Sequence, residues 1–219
     1  MKVEKVVAEF SDEVREIAFE FLKKNGYKKN VKYSLQWPVY NLLSFDESLS
    51  GKEWKKLRNI RNRFYSSYNI KFKHPKDADK GKLKQLLKEW LKRRSVKDRV
   101  EVDYYKNMID YDFDGFDMAR VVLINHEPCA FSAGWKIPNS NDFYCGVGIF
   151  NYKYKDMGDF INVDDFLHIK SLGYDNVDFG GSDEALLQFK MKFNPESSIF
   201  VILENLSLIA GSIEEVSIL

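Results

Sequence analysis

The stretch YDNVDFGGSDEALLQFKMKFNP, residues 174–195, carries the reading of the fold. Tyr174 to Phe179 reads as a short strand, Gly180-Gly181-Ser182-Asp183 as a turn, and Glu184 to Phe193 as a helix that stops before Pro195. Asp183 is placed to cap that helix. The same strand-then-helix order occurs earlier: Tyr68 to His74 alternates like a strand. Lys82 to Arg94 follows as an amphipathic helix with Leu83, Leu86, Leu87, Trp90 and Leu91 inward. Strand followed by helix begins an α/β unit.

Working outward, Ser11-Asp12-Glu13 opens a helix with Ser11 as its N-cap and Val14, Ile17, Ala18, Phe21 and Leu22 at helical spacing. Lys23-Lys24-Asn25-Gly26 closes it, with cations at the negative end and then glycine. Val31 to Leu43 reads as extended, and a basic helix starts near Ser50. The acidic run Asp110 to Asp117 is a loop or short helix. Ala119 to Asn125 and Pro128 to Ile137 flank His126-Glu127 as two strands of a hairpin. Phe143 to Phe150 continues the sheet, and its Gly146 and Gly148 suggest a bulge or a close backbone approach. Asp156 to Leu172 is helical and closed by Gly173, and Ser198 to Leu203 and Ala210 to Leu219 complete the sheet.

Composition removes several classes of protein. With 219 residues, 44% hydrophobic and 15% aromatic, the chain can bury a real core, which argues against disorder. Two cysteines, Cys129 and Cys145, cannot staple it. No stretch reaches the roughly 18 apolar residues of a membrane helix. Met1-Lys2-Val3-Glu4-Lys5 is not followed by the apolar core of a signal peptide, so a cytosolic protein is expected. The three histidines, His74, His126 and His168, have no HxH or HxxxH spacing, and no metal site is expected. The net charge of +1 hides a polarity: residues 51–99 carry +13 and the remainder −12. Such a surface suits phosphate-rich ligands, and equally suits solvated helix faces that keep the chain soluble.

The order of elements is that of the GNAT acyltransferase fold: a mixed, largely antiparallel α/β sheet flanked by helices, here with an N-terminal helical extension. From about Leu49 to Pro195 the chain resembles the C-terminal transferase domain of bacterial phosphatidylglycerol lysyltransferases, relatives of the Fem aminoacyl-tRNA peptidyltransferases. The residues carrying the resemblance are Leu49-Ser50-Gly51-Lys52, Lys56-Leu57-Arg58-Asn59 and Asn62-Arg63-Phe64. Phe179-Gly180-Gly181-Ser182 and Leu187-Gln188-Phe189-Lys190-Met191-Lys192-Phe193-Asn194-Pro195 complete the set. By this resemblance the domain division is 1–48, an N-terminal helix and extended segment, and 49–219, the acyltransferase domain. The resemblance further implies an acyl- or aminoacyltransferase whose donor carries phosphate, such as an aminoacyl-tRNA, with an amine or hydroxyl acceptor. No lipid acceptor is implied.

Physical reading of the motifs leaves alternatives. The amides of Gly180, Gly181 and Ser182 suit an anion or a developing oxyanion, or the turn is structural and Asp183 fills the anion position. Lys190 and Lys192 point about 200° apart on a helix and cannot both reach one site unless the helix ends between them. The resemblance makes Lys190 the stronger candidate for an electrostatic role. Arg58, Arg61 and Arg63 are candidates to hold phosphate, with Lys52, Lys55 and Lys56 steering, or else pair with the acidic remainder. In the stretch Asn151 to Asp159, where a CoA enzyme has a glycine-rich pyrophosphate loop, only Gly158 conforms and Asp159 adds negative charge. Asn151, Lys153 and Lys155 offer polar or cationic contacts, which keeps a CoA-dependent N-acetyltransferase as an alternative. Tyr144 and Trp135 could line a cleft or belong to the core. A non-catalytic tRNA- or anion-binding module of the same fold is the other alternative.

Overall fold

The computed structural model describes residues 5–94, 102–182, 184–194 and 197–208. The expected cap at Asp183 and the expected strand at 210–219 lie outside them. The chain forms two compact units, residues 40–179 and residues 1–39 with 180–219. The boundaries fall at 39/40 and 179/180, whereas the sequence reading placed its single boundary at 48.

In the first of these units, α2 (Lys55–Ser67), β3 (Ile70–Lys73), α3 (Lys80–Leu91), α4 (Val102–Asp110), β4 (Met118–Ile124), β5 (Glu127–Lys136), β6 (Asp142–Phe150), α5 (Met157–Ser171) and β7 (Asn176–Asp178) follow in order. The strands lie β7-β6-β5-β4-β3, antiparallel except for the parallel β6/β7 pair. This is the mixed, largely antiparallel sheet expected from the sequence.

The sheet is covered on both faces, which is why β4 is buried almost throughout. On one face α3 and α4 pack Leu83, Leu86, Leu87, Trp90, Met108 and Ile109 against Val121, Leu123, Phe131, Val147 and Ile149. On the other, α2 and α5 bring Ile60, Phe64, Met157, Phe160 and Ile161 onto Val122, Ile124 and Ala130, with Phe64 and Phe160 stacked at 4.4 Å. Asp79 caps α3 by accepting from the Lys82 N–H at 3.0 Å.

The β4/β5 turn is Asn125-His126, one residue earlier than expected. Both residues have positive φ (52° and 71°), the signature of a two-residue type I′ hairpin. The expected bulge is on β6: between the pairs Ala133/Val147 and Trp135/Tyr144, Cys145 and Gly146 lie opposite Gly134 alone. A Cβ on Gly134 would lie 2.2 Å from the Tyr144 carbonyl oxygen, so the close backbone approach is at Gly134. The acidic run after α4 faces the basic segment through Lys80–Asp112 at 2.8 Å and the pair Lys84–Asp110.

The other unit contains β1 (Lys5–Ser11), α1 (Asp12–Lys24), most of β2 (Tyr27–Asn41), α6 (Glu184–Lys190) and β8 (Ser197–Leu208). β8 pairs antiparallel with both β1 and β2, which joins the two ends of the chain in one unit. Ser11, expected as a cap, is the last residue of β1.

Candidate functional site

β6 and β7 pair only at Asp142–Tyr144 with Asn176–Asp178. β7 then ends, while β6 runs on to Phe150 and stays paired with β5 on its other edge. Past Tyr144, one edge of a central strand is therefore not used by β7. Along this stretch Phe143, Cys145, Val147 and Ile149 are buried and the alternate positions Gly146 and Gly148 are exposed. A Cβ on Gly148 would meet nothing within 4 Å. The result is a glycine face that is open at Gly148, whereas at Gly146 the Tyr144 ring lies 2.5 Å from where a Cβ would be. Tyr144 stands at the fork, opposite Asp178, with its ring 4.9 Å from Trp135.

Directly beside this face lies a buried polar cluster. Arg120 on β4 is opposite Ser132 on β5, and Ser132 is opposite Gly148 on β6, a row across three strands. α5 brings two consecutive carboxylates onto the row. Arg120 Nη2 meets Asp164 Oδ2 at 2.5 Å and Nη1 meets Asp165 Oδ1 at 3.0 Å; Ser132 Oγ donates to the same Asp165 oxygen at 3.0 Å. Tyr65 from α2 donates to Asp164 Oδ1 at 2.7 Å, and the guanidinium lies 4.2 Å from the centre of the Phe72 ring on β3. One planar fork serving two carboxylates while stacking on an aromatic ring is chemistry that lysine does not supply.

Burial raises the Asp165 carboxyl, Arg120 opposes the rise and Asp164 adds to it, leaving it at about 6. Burial and the bond to Asp164 raise the Tyr65 hydroxyl, while burial and then Arg120 lower the His168 imidazole. None of these residues was a sequence candidate. The available signal was α5 itself: a helix apolar nearly all round is buried, so its aspartates must find partners.

Of the candidates in this unit, Arg58, Arg61 and Arg63 have protein partners. Arg58 Nη1 donates to the carbonyls of Leu49 and Gly51, Arg61 to that of Glu47 at 3.1 Å, and Lys170 on α5 to that of Phe45 at 2.8 Å. Alternate carbonyls of one loop are thus tied down by cations, while Asp46 accepts from Ser48 and Ser50 within it. Those hydrogen bonds hold the Asp46 carboxyl well below its usual range. Arg63 instead bonds Asp156 at 2.8 Å and the Lys155 carbonyl at 3.0 Å, at the start of α5. Arg58 and Arg61 share a loop; Arg63 is placed elsewhere.

Asn151 follows β6 and accepts from the Lys153 N–H at 2.9 Å, with Lys153 exposed. The first turn of α5 carries a buried Asp159, and Asp156 before it has φ of 64°. A carboxylate there does not fit a pyrophosphate cradle. Among the described residues, no group of three or more His, Cys, Asp or Glu could hold a metal ion.

In the other unit, Lys190 is 6% exposed and its Nζ donates to the Gly180 carbonyl at 2.7 Å. Gly180 has φ of 79°, a conformation that favours glycine. Ser182 is buried and its main chain exchanges hydrogen bonds with Gln36, at 2.9 and 3.3 Å. The α-helix ends at Lys190, and a 3-10 turn, Met191–Phe193, follows. Lys192 is exposed with its Nζ 4.6 Å from the Phe189 ring centre, and Phe189 and Phe193 pack at 5.6 Å as their spacing predicts. Lys190, Gly180 and Ser182 are brought together; Lys192 points elsewhere.

This geometry belongs to a GNAT-like α/β transferase fold. It is shared with a GCN5-related N-acetyltransferase from Sphaerobacter thermophilus (TM-score 0.52, 8% identity, 92% of this chain and 59% of that chain). The chain belongs to the family described as phosphatidylglycerol lysyltransferase, C-terminal, which matches residues 37–199. It is similar in structure to L-PGS from Bacillus licheniformis, with TM-score 0.67 and 20% identity over 91% of this chain and 67% of that one. It is also similar to FemX, with TM-score 0.60 and 12% identity over 92% and 72%. No match was found among curated proteins. Among the described residues, no helix is long and apolar enough to cross a membrane.

Proposed function

We propose that the domain transfers an aminoacyl group from an aminoacyl-tRNA-like donor to an amine or hydroxyl acceptor, acting in the cytoplasm. The acceptor heteroatom bonds to the ester carbonyl carbon, the ester C–O bond breaks, and the acceptor proton leaves with the departing hydroxyl. Such a reaction depends on orientation and on donors aimed at the tetrahedral oxyanion.

The observation that carries this reading is the buried Lys190 on the Gly180 carbonyl, inside the segment matched by the transferase family. In a trans peptide the carbonyl and the next N–H point in opposite directions. An ammonium holding the Gly180 oxygen therefore aims the Gly181 N–H the other way, as a fixed oxyanion donor. Lys190 thus serves as a positioning residue. Exposed Lys52, Lys55 and Lys56 at the start of α2 supply long-range attraction for a polyanionic donor. The buried Asp159 and the Arg63-bound Asp156 disfavour CoA as the donor.

The test is transfer of a radiolabelled amino acid from lysyl-tRNA and other aminoacyl-tRNAs. Lys190→Met is expected to lower turnover about 100-fold, the scale of a lost oxyanion donor, with the circular dichroism spectrum unchanged. Wild-type turnover in that variant would remove Lys190 from the site. Steeply salt-dependent tRNA binding without turnover would favour the binding module instead.

A further inference from the structure

The cluster of Arg120, Ser132, Asp164 and Asp165 takes no part in the transfer scheme above, yet it adjoins the glycine face. Two carboxylates share one guanidinium in the interior, so the fully ionised cluster carries an unbalanced negative charge. A single proton removes the imbalance.

We propose that Asp165 is the proton-binding member of this cluster and that, through Ser132, its protonation sets the position of the Gly148 segment of β6. Asp165 is 2% exposed against 8% for Asp164, and it has the Ser132 contact to the sheet. Asp164 is the better supported as an anion, with the shorter Arg120 contact and the Tyr65 hydroxyl. Ser132 lies directly across the ladder from Gly148, whose missing side chain leaves open space on that face.

The groups facing Asp165 are few. They are Arg120 from β4, Ser132 from β5, and Asp164 with His168 from α5; Tyr65 of α2 reaches the cluster through Asp164, with Arg61 behind it. Burial shifts His168 downward and Tyr65 upward, and comparison with Asp165→Asn separates a His168 titration from that of Asp165. Above that pH the Ser132–Asp165 bond is charge-assisted. Below it Arg120 pairs with Asp164 alone and the bond weakens, releasing the strand row that ends at Gly148. The inference holds whatever the donor is.

The test follows backbone amide resonances of the 15N-labelled full chain from about pH 4.5 to about pH 8. In the wild type the Ser132 and Gly148 amides are expected to shift with a common midpoint near pH 6. In Asp165→Asn they are expected to stay throughout at the wild type's acid-limit positions. A Gly148 amide that is stationary in the wild type, or that titrates with the same midpoint in Asp165→Asn, overturns the proposal. Ser132→Ala cuts the relay without altering either carboxylate, and serves as well if Asp165→Asn does not fold. It is expected to reduce the Gly148 shift about fivefold while the Arg120 Nε–H signal still titrates. A Gly148 shift undiminished in Ser132→Ala overturns the route through Ser132.

Discussion

Two glycine regions stand out, and the reasons for their glycines differ. Gly180 has φ of 79° and its carbonyl is held by a buried ammonium, so its glycine is required by backbone conformation. Gly148 has an ordinary strand conformation, is exposed, and has open space where a side chain would go. Its glycine is required, if at all, by what must lie against it. The first type of glycine is a matter of folding and the second of access. Substitutions should therefore separate them, one altering stability and the other binding.

The largest expected effect comes from removing the support beside the glycine face. Arg120→Met leaves two buried carboxylates without their cation and should cost about 3–5 kcal/mol, read by urea unfolding at neutral pH. A loss under about 1 kcal/mol would mean that the cluster is wet and does not brace the face.

Next is the proton linked to that cluster. Asp165 has a folded-state value near 6, above the roughly 3.9 of an unfolded aspartate, so the native state binds the proton more tightly. Stability relative to Asp165→Asn should be greatest below about pH 4 and fall through pH 6, by up to about 3 kcal/mol. Parallel unfolding curves for the two proteins across that window would contradict it.

Gly180→Ala should cost about 1–2 kcal/mol, because an L side chain must adopt a left-handed conformation. Transfer activity should fall with it as the Lys190 contact shifts. Smallest in stability is Gly148→Leu, expected within about 0.5 kcal/mol of wild type. Its transfer rate should nonetheless drop at least about tenfold as the side chain fills the face. If Gly148→Leu destabilises and Gly180→Ala does not, the contrast between the two glycines is reversed.

Much of the fold was legible because its signals are local. α3 shows its stripe in Leu83, Leu86, Leu87 and Trp90, all buried. β7 was legible as a short strand because Gly173 and the glycine turn after Phe179 bound it. α4 was missed although Val102, Tyr105, Met108 and Ile109 are spaced for one face, because the acidic residues beside them read as a loop. β1 was missed because it pairs with β8, nearly 200 residues away in sequence, and its own pattern does not alternate. The end of α6 between Lys190 and Lys192 was the one condition the helical geometry had named, and it decides which lysine is buried.

The functional surface was less legible. Three arginines on a basic helix read as phosphate ligands, and each has a protein partner that sequence could not supply, since a backbone carbonyl is present at every residue. Arg120 in an apolar strand and Asp164-Asp165 in an apolar helix are 44 and 45 residues apart and meet only because α5 packs on that face of β4 and β5. The sequence alone determined most of the element order, the family and the glycine turn, because periodicity, turn chemistry and short motifs are properties of neighbouring residues. Only the tertiary structure decided which charges are buried and shared and which glycines face open space. Desolvation and pairing depend on neighbours that are distant along the chain.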